Sequence, residues 1–99
     1  MTTRITQVNG RTKTILKIEG TLILEEALLL AQICADLRRQ SDQDIALALD
    51  DLVFLDTSSA YVLNRLKHEA GITLEGAGFF VHQVLELVEQ QSLNQSGQQ

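Results

Sequence analysis

Two adjacent serines are the first candidates for covalent chemistry in this chain. Ser58 and Ser59 follow an apolar stretch and precede a predicted helix, which is where hydrolases with a strand-turn-helix elbow carry their nucleophilic serine. That elbow requires a glycine on each side of the serine, in the pattern G-x-S-x-G. The segment Asp56–Ala60 contains no glycine, so the sequence predicts no serine catalysis.

The histidines, the cysteine and the glycines predict neither a metal site nor a phosphate loop. His68 and His82 lie in different predicted helices, without the paired ligand spacing of a zinc motif. Cys34 falls on an apolar helix stripe, where it is most simply a small hydrophobic residue. The segment Gly76–Gly78 lacks both the third glycine of a dinucleotide-binding loop and the Lys-Ser/Thr of a P-loop. We therefore predict a protein that is not an enzyme and has no metal and no cofactor.

A hydroxyl beside a helix N-terminus is the remaining feature with chemical potential. Asp56, Thr57, Ser58 and Ser59 are consecutive, and any of the first three is a good helix cap. A phosphate at this point would be stabilised by free backbone N–H groups and by the positive end of the helix dipole. Two interpretations are open: the segment only caps a helix, or one of its hydroxyls is modified or contacts a partner.

Charge and composition argue against several classes of partner. Eight Lys and Arg against 13 Asp and Glu give a net charge of −5. No basic cluster exceeds the pair Arg38-Arg39, so nucleic acid and anionic membrane surfaces are disfavoured. No apolar run approaches the ~18 residues of a membrane span. The lone Cys34 cannot form an intramolecular disulfide, and Met1–Val8 lacks the apolar stretch of a signal peptide, so we expect a cytoplasmic protein.

The N-terminal third of the chain predicts a hairpin followed by a helix. Asn9-Gly10 is favoured where two consecutive residues have positive φ, and it separates Ile5–Val8 from Ile15–Ile18, with Gly20 ending the second strand. From Leu24 to Arg39, apolar residues recur at helical spacing on one face: Ala27, Leu30, Ala31, Cys34 and Leu37.

Two residues widen the apolar surface of this first helix. Leu29 and Ile33 lie outside the stripe that one packed face requires. We therefore expect them to contact a second copy in a weak homodimer, or a partner.

The remaining elements alternate between strand and helix. Ile45–Leu49 is a continuous apolar run, typical of a strand that is covered on both faces. The second helix begins near Asp56 and ends at Gly71. Its buried stripe is predicted to be Val62, Leu63, Leu66 and Ala70, and its other side Tyr61, Asn64, Arg65 and His68.

The last predicted elements are a short strand and a third helix. Ile72–Leu74 is the strand, and the helix buries Val81, Val84, Leu85 and Val88, with Phe80 extending that face. The fold class is α/β: an N-terminal hairpin strand plus a mostly parallel sheet of about four strands, with three helices packed on it. We expect one domain over residues 1–91 and a disordered polar tail over residues 92–99.

Nearly the whole chain resembles the STAS domains of anti-sigma factor antagonists. The pattern Ile18-Glu19-Gly20 followed by Thr21-Leu22 is similar to the end of an early strand in that family. The most specific motif of the family is an apolar pair, Asp, a phosphorylatable Ser or Thr, and then Ser-Gly and an apolar residue. Phe54–Ala60 resembles this motif, so the resemblance implies that Thr57 is the phosphorylated position.

The chain departs from the family pattern at two positions. Ser59 stands where the family usually has Gly, which adds a side chain beside Thr57. Phe79 stands where Pro is frequent.

The function implied by the resemblance is partner switching in transcription regulation. An anti-sigma factor with a kinase fold would bind the surface around Thr57 and release its sigma factor, and phosphorylation of Thr57 by this serine/threonine switch kinase would reverse the binding. The predicted binding residues are Asp56, Thr57, Ser58, Ser59, Tyr61, Asn64, Arg65 and His68. One alternative is a STAS-like accessory subunit that contacts the ATPase of an ABC lipid transporter without being phosphorylated. Another is a binder of an unassigned small ligand.

Overall fold

The computed structural model describes residues 3–97 of the chain, and the side chains of residues 3–91. In chain order the elements are β1 (Thr3–Asn9), β2 (Lys13–Leu22), α1 (Leu24–Gln40), β3 (Asp44–Ala48), β4 (Leu52–Leu55), α2 (Thr57–Glu69), β5 (Thr73–Glu75) and α3 (Phe79–Gly97). Within the described residues, no helix is long and apolar enough to cross a membrane.

The N-terminal hairpin forms as predicted, but its turn differs. β1 and β2 pair antiparallel, in a register that faces Asn9 with Thr14. The N–H of Gly10 donates to the carbonyl of Lys13 at 2.8 Å, which closes the loop. Among the described residues, positive φ angles occur at Gly20, Gly71 and Gly76. The expected pair of positive φ angles at Asn9-Gly10 is therefore wrong, since a longer loop closes the hairpin without them.

The sheet has five strands, which confirms the predicted α/β fold class of a hairpin strand plus about four more strands, but it is mixed and not mostly parallel as predicted. β2 pairs antiparallel with β1 and parallel with β3 and β4, and β3 pairs parallel with β5. The hairpin imposes the antiparallel pair, because a short turn reverses the chain direction. Crossovers through helices give the parallel pairs.

The strand β4 pairs with the same edge of β2 as β3 does, but further along β2. β3 pairs with Lys13–Lys17, and β4 pairs with Gly20–Leu22 after a register shift between Gly20 and Thr21. Gly20 has φ 88°, and its N–H donates to the carbonyl of Asp51 at 3.1 Å. Gly20 is thus a bulge inside β2, which runs on to Leu22 instead of ending at Gly20 as predicted.

The core lies between the sheet and the inner faces of the helices. Ala27, Leu30 and Cys34 of α1 are buried, as the helical spacing predicts. Aliphatic side chains make up the rest of the core: Leu16, Ile18, Leu22, Ile45, Leu47, Leu49, Leu52, Leu55, Ala60, Leu63, Ile72, Val81 and Val88. This packing fixes the end of β4 and the start of α2, where the candidate site lies.

The C-terminal segment lies partly outside the described residues. α3 extends to Gly97, but the side chains of residues 92–99 are not described. The disordered tail over residues 92–99, and with it the domain limit at residue 91, remain predictions.

Candidate functional site

Asp56 joins the sheet to the first turn of α2. Its backbone N–H donates to the carbonyl of Leu22 at 3.2 Å, which holds it beside the end of β2. Its Oδ1 accepts a hydrogen bond from the N–H of Ser59 at 2.8 Å, so Asp56 is the helix N-cap. Burial opposes its ionisation, but its contacts with Ser59 and with the N–H of Leu24 outweigh burial and lower the pKa of Asp56. Asp56 therefore presents a fixed negative charge.

Thr57 and Ser58 are exposed at the first two positions of α2. Because Asp56 already caps the helix, neither hydroxyl is needed as a cap. Both hydroxyls lie at the positive end of the helix dipole, where an added phosphate is favoured. The structure thus gives Thr57 an accessible position.

Ser59 differs from its two neighbours because its side chain is completely buried, at 0% exposure. Its Oγ has no hydrogen-bond partner among the described residues. A buried hydroxyl without a partner is unfavourable. Ser59 was predicted as a partner-binding residue, and its burial removes it from the accessible surface.

Asn64 is a second correction to the predicted partner face. It is 7% exposed, so it does not lie on the open side of α2 with Arg65 and His68. Helical spacing assigns residues to faces by angle alone, whereas α3 packs against α2, and Asn64 lines a cavity together with Leu85 and Glu89 of α3. Arg65 is exposed and lies 3.6 Å from the carboxylate of Glu69.

Two other predicted residues of this face contact α3. The hydroxyl of Tyr61 donates to Gln91 Oε1 at 2.5 Å, and His68 Nε2 lies 2.8 Å from Glu89 Oε2. Lys67 lies 3.7 Å from the same carboxylate. These contacts join α2 to α3, so Tyr61 and His68 have a structural role whether or not a partner touches them.

A group of exposed phenylalanines beside the site was not predicted. Phe54, near the end of β4, is 42% exposed, and Phe79 and Phe80, at the start of α3, are 79% and 50% exposed. Phe80 was predicted to extend the buried face of α3, which is wrong because its ring stacks on Phe54 instead, with centroids 6.0 Å apart and an interplanar angle of 19°. The sequence signal was the double phenylalanine at the first turn of a helix whose apolar stripe is complete without it.

The site combines an exposed hydroxyl, a helix N-terminus and a fixed carboxylate. Within residues 3–97, no three His, Cys, Asp or Glu side chains are grouped so that they could hold a metal ion. The chemistry that this arrangement suits is recognition or modification of the hydroxyl.

Comparison with known proteins gives similarity in fold. The structure of the anti-sigma factor antagonist SpoIIAA in its unphosphorylated form matches with a TM-score of 0.61 and 16% identity, covering 96% of this chain and 97% of that chain. An uncharacterised protein of the DUF3478 family with a SpoIIAA-like fold, from Shewanella loihica PV-4, matches with a TM-score of 0.58 and 14% identity, covering 79% of this chain and 69% of that chain. No protein-family model matches the chain, and no curated protein matches it in sequence. The chain therefore has a SpoIIAA-like fold, which confirms the predicted STAS-like architecture.

Proposed function

We propose that this protein is a non-catalytic signalling module that binds a kinase-fold anti-sigma factor and is switched off by phosphorylation of Thr57. The observation that carries the proposal is the exposed Thr57 at the start of α2, next to the capping Asp56, in a chain with a SpoIIAA-like fold. The predicted binding surface is reduced to its accessible members: Asp56, Thr57, Ser58, Tyr61, Arg65 and His68.

Electrostatics explains how phosphorylation would reverse binding. A phosphate on Thr57 adds about 1.5 to 2 negative charges at neutral pH. The neighbouring Asp56 is already ionised, because its pKa is lowered by hydrogen bonds that outweigh its burial. A partner surface that complements one carboxylate would then meet a much larger negative charge and would lose favourable contacts.

The test uses two substitutions of Thr57, one that adds a negative charge and one that only removes the hydroxyl. Thr57→Asp should weaken binding to a co-purified kinase-fold ATPase at least tenfold, since it adds a permanent negative charge to the interface. Thr57→Ala should bind like the parent, and after incubation with ATP and the kinase it should lack the mass increase of about 80 Da that one phosphoryl group gives the parent.

Thr12→Asp is the matched control. Thr12 is exposed in the loop between β1 and β2, so the substitution makes the same change far from α2. Its affinity should equal that of the parent, and thermal melting should be similar for all variants, since Asp56 and not Thr57 caps the helix. Equal affinity for Thr57→Asp and Thr12→Asp, together with no phosphoryl addition to the parent, would refute the switch.

The partner itself separates this proposal from the accessory-subunit alternative. Mass spectrometry of proteins that co-purify from native lysate identifies the partner. A histidine-kinase-like ATPase supports the switch. An ABC ATPase that co-purifies with a permease supports the alternative.

A further inference from the structure

The phenylalanines of this protein are all on its surface. The chain has three Phe, and Phe54, Phe79 and Phe80 are 42%, 79% and 50% exposed. Phenylalanine is ordinarily among the most buried residues, and here the core is filled by aliphatic side chains instead. We call these three residues the phenylalanine patch.

Two of the three rings of the patch pack together before any partner binds. Phe54 and Phe80 come from different elements, and their rings stack with centroids 6.0 Å apart. Since each ring restricts the other, binding would immobilise little that is not already fixed. Phe79, at 79%, is the most exposed of the three.

The size of the patch argues for a protein partner that also covers neighbouring surface. Three partly exposed Phe side chains present on the order of 350 Å² of apolar surface, given that one Phe can bury ~150 to 250 Å². Patches of this size on monomers are often functional. A standard interface buries about 800 Å² per partner, so the patch supplies less than half of one. Thr57 follows Phe54 by only three residues and lies at the adjoining start of α2.

Two carboxylates close to the patch in sequence indicate that the edge of the partner's binding surface is positively charged. Asp50 precedes β4, and its carboxylate lies against Gly76 in the turn that leads to α3. Asp56 follows β4. The ion pairs among the described residues involve neither of these two carboxylates. No cationic side chain of residues 3–91 lies within 4 Å to neutralise them, so they attract cations on a partner.

We propose that the phenylalanine patch is a hydrophobic anchor, in which Phe79 enters an apolar pocket that is rimmed by Lys or Arg on the same protein partner that recognises Thr57. This inference rests on the proposed function for the identity of the partner. A second copy of the chain is disfavoured at this patch, because it would place its own Asp50 and Asp56 against the same two carboxylates. An anionic membrane is disfavoured because its negative charge would likewise face these carboxylates.

The test is site-directed photo-crosslinking in the full-length chain. The photoreactive residue p-benzoylphenylalanine replaces Phe79, and in a control it replaces Val8, which is 51% exposed on β1. We expect the probe at residue 79, and not at residue 8, to crosslink to one partner protein. The crosslinked partner residue should line an apolar pocket with Lys or Arg at its edge. No crosslink at residue 79, a crosslink to a second copy, a lipid adduct, or a crosslink to an acidic or flat polar surface would each overturn the anchor.

Affinity measurements with the crosslinked partner then separate the anchor from the switch. Phe79→Ala should weaken binding at least tenfold, whereas Val8→Ala, which truncates a 51% exposed residue on β1, should change it less than twofold. Equal effects of the two substitutions would overturn the anchor. If Thr57→Asp leaves binding unchanged while Phe79→Ala abolishes it, the switch fails and the anchor stands. If Thr57→Asp weakens binding while Phe79→Ala leaves it unchanged, the anchor fails and the switch stands.

Discussion

The buried hydroxyl of Ser59 destabilises the first turn of α2. Its Oγ has no hydrogen-bond partner among the described residues, and a buried group in this state costs about 1 to 3 kcal/mol. Its backbone N–H, by contrast, is satisfied by Asp56, and any substitution except proline retains that bond.

Ser59→Ala is therefore expected to raise the free energy of unfolding by up to ~1 kcal/mol, because it removes the unpaired hydroxyl and improves helix propensity. Ser59→Gly removes the same hydroxyl, but it loses about 1 kcal/mol of helix propensity relative to Ala. Urea denaturation of the three proteins measures both differences. A loss of stability in Ser59→Ala would mean that the hydroxyl makes a favourable hydrogen bond.

The thiol of Cys34 is predicted to be inert in the folded protein. Cys34 is 2% exposed on α1, and burial raises the pKa of its thiol to about 11, with Arg38 offsetting this only in part. At pH 8 the reactive thiolate is thus scarce as well as inaccessible. We expect Ellman's reagent to label native Cys34 at least a hundredfold more slowly than the urea-unfolded chain. Comparable rates in the two states would contradict the buried position.

The same shift gives alkaline pH a defined effect on stability. The raised pKa of Cys34 means that the unfolded thiol ionises first, above about pH 8.5. Below that pH the thiol is protonated in both states, and the folded protein has the full stability that the buried neutral thiol allows. This stability is lost as the pH rises through about 11. Cys34→Ala should lack this dependence.

At the scale of the element, Asp56 decides how α2 begins. Replacing this N-cap with alanine leaves the N–H of Ser59 without its acceptor, which should lower the free energy of unfolding by ~0.5 to 2 kcal/mol. Asp56→Asn retains an acceptor at the same place and should lose less.

The charge of Asp56 adds a pH dependence to the same helix. Because hydrogen bonds outweigh burial and lower its pKa in the folded chain, the ionised form stabilises the protein at neutral pH. That contribution is lost as the pH falls below ~3.9, the ordinary pKa of Asp, towards the lower folded value. Denaturation of the parent and Asp56→Asn between pH 7 and pH 3 should give curves that converge in acid. A constant difference would show that the charge of residue 56 is irrelevant to stability.

The helices could be predicted from the sequence because each has several turns of apolar spacing. The buried residues Ala27, Leu30 and Cys34 in α1 follow directly from that period. β4 was not predicted as a strand, because four consecutive residues carry too little pattern to distinguish a strand from a loop. Its place beside β2 depends on the bulge at Gly20, which involves residues about 30 positions apart.

Those features of the candidate site that depend on local sequence were predicted correctly. The predictions failed for features that depend on packing between elements. The cap and the exposed hydroxyl at Thr57 follow from the order of residues alone. The burial of Asn64 and the exposure of Phe80 depend on where α3 lies against α2 and β4. Periodicity within one helix does not contain that information.

At the scale of the whole molecule, the outer side of α1 presents a second apolar surface. Leu28 and Leu29 are 54% and 56% exposed, while Ile33 is half-buried and packs partly against the core. Ile33 is therefore a smaller part of this surface than the sequence predicted. Full burial of one aliphatic side chain contributes roughly 1.5 to 3 kcal/mol, which helps a weak dimer but does not by itself offset the loss of translational freedom.

Leu29→Glu tests this surface, because it replaces an apolar contact with a charge that two copies would bring together. We expect the parent to show a concentration-dependent increase in mass by light scattering, and Leu29→Glu to remain monomeric over the same range. Val8→Glu is the matched control, since Val8 is a 51% exposed apolar residue on β1, outside α1, and the charge change is the same. The control should associate like the parent, apart from the small effect of one more negative charge on a chain of net charge −5. A monomeric mass for the parent at every concentration would remove the dimer, and equal loss in both variants would assign the effect to net charge.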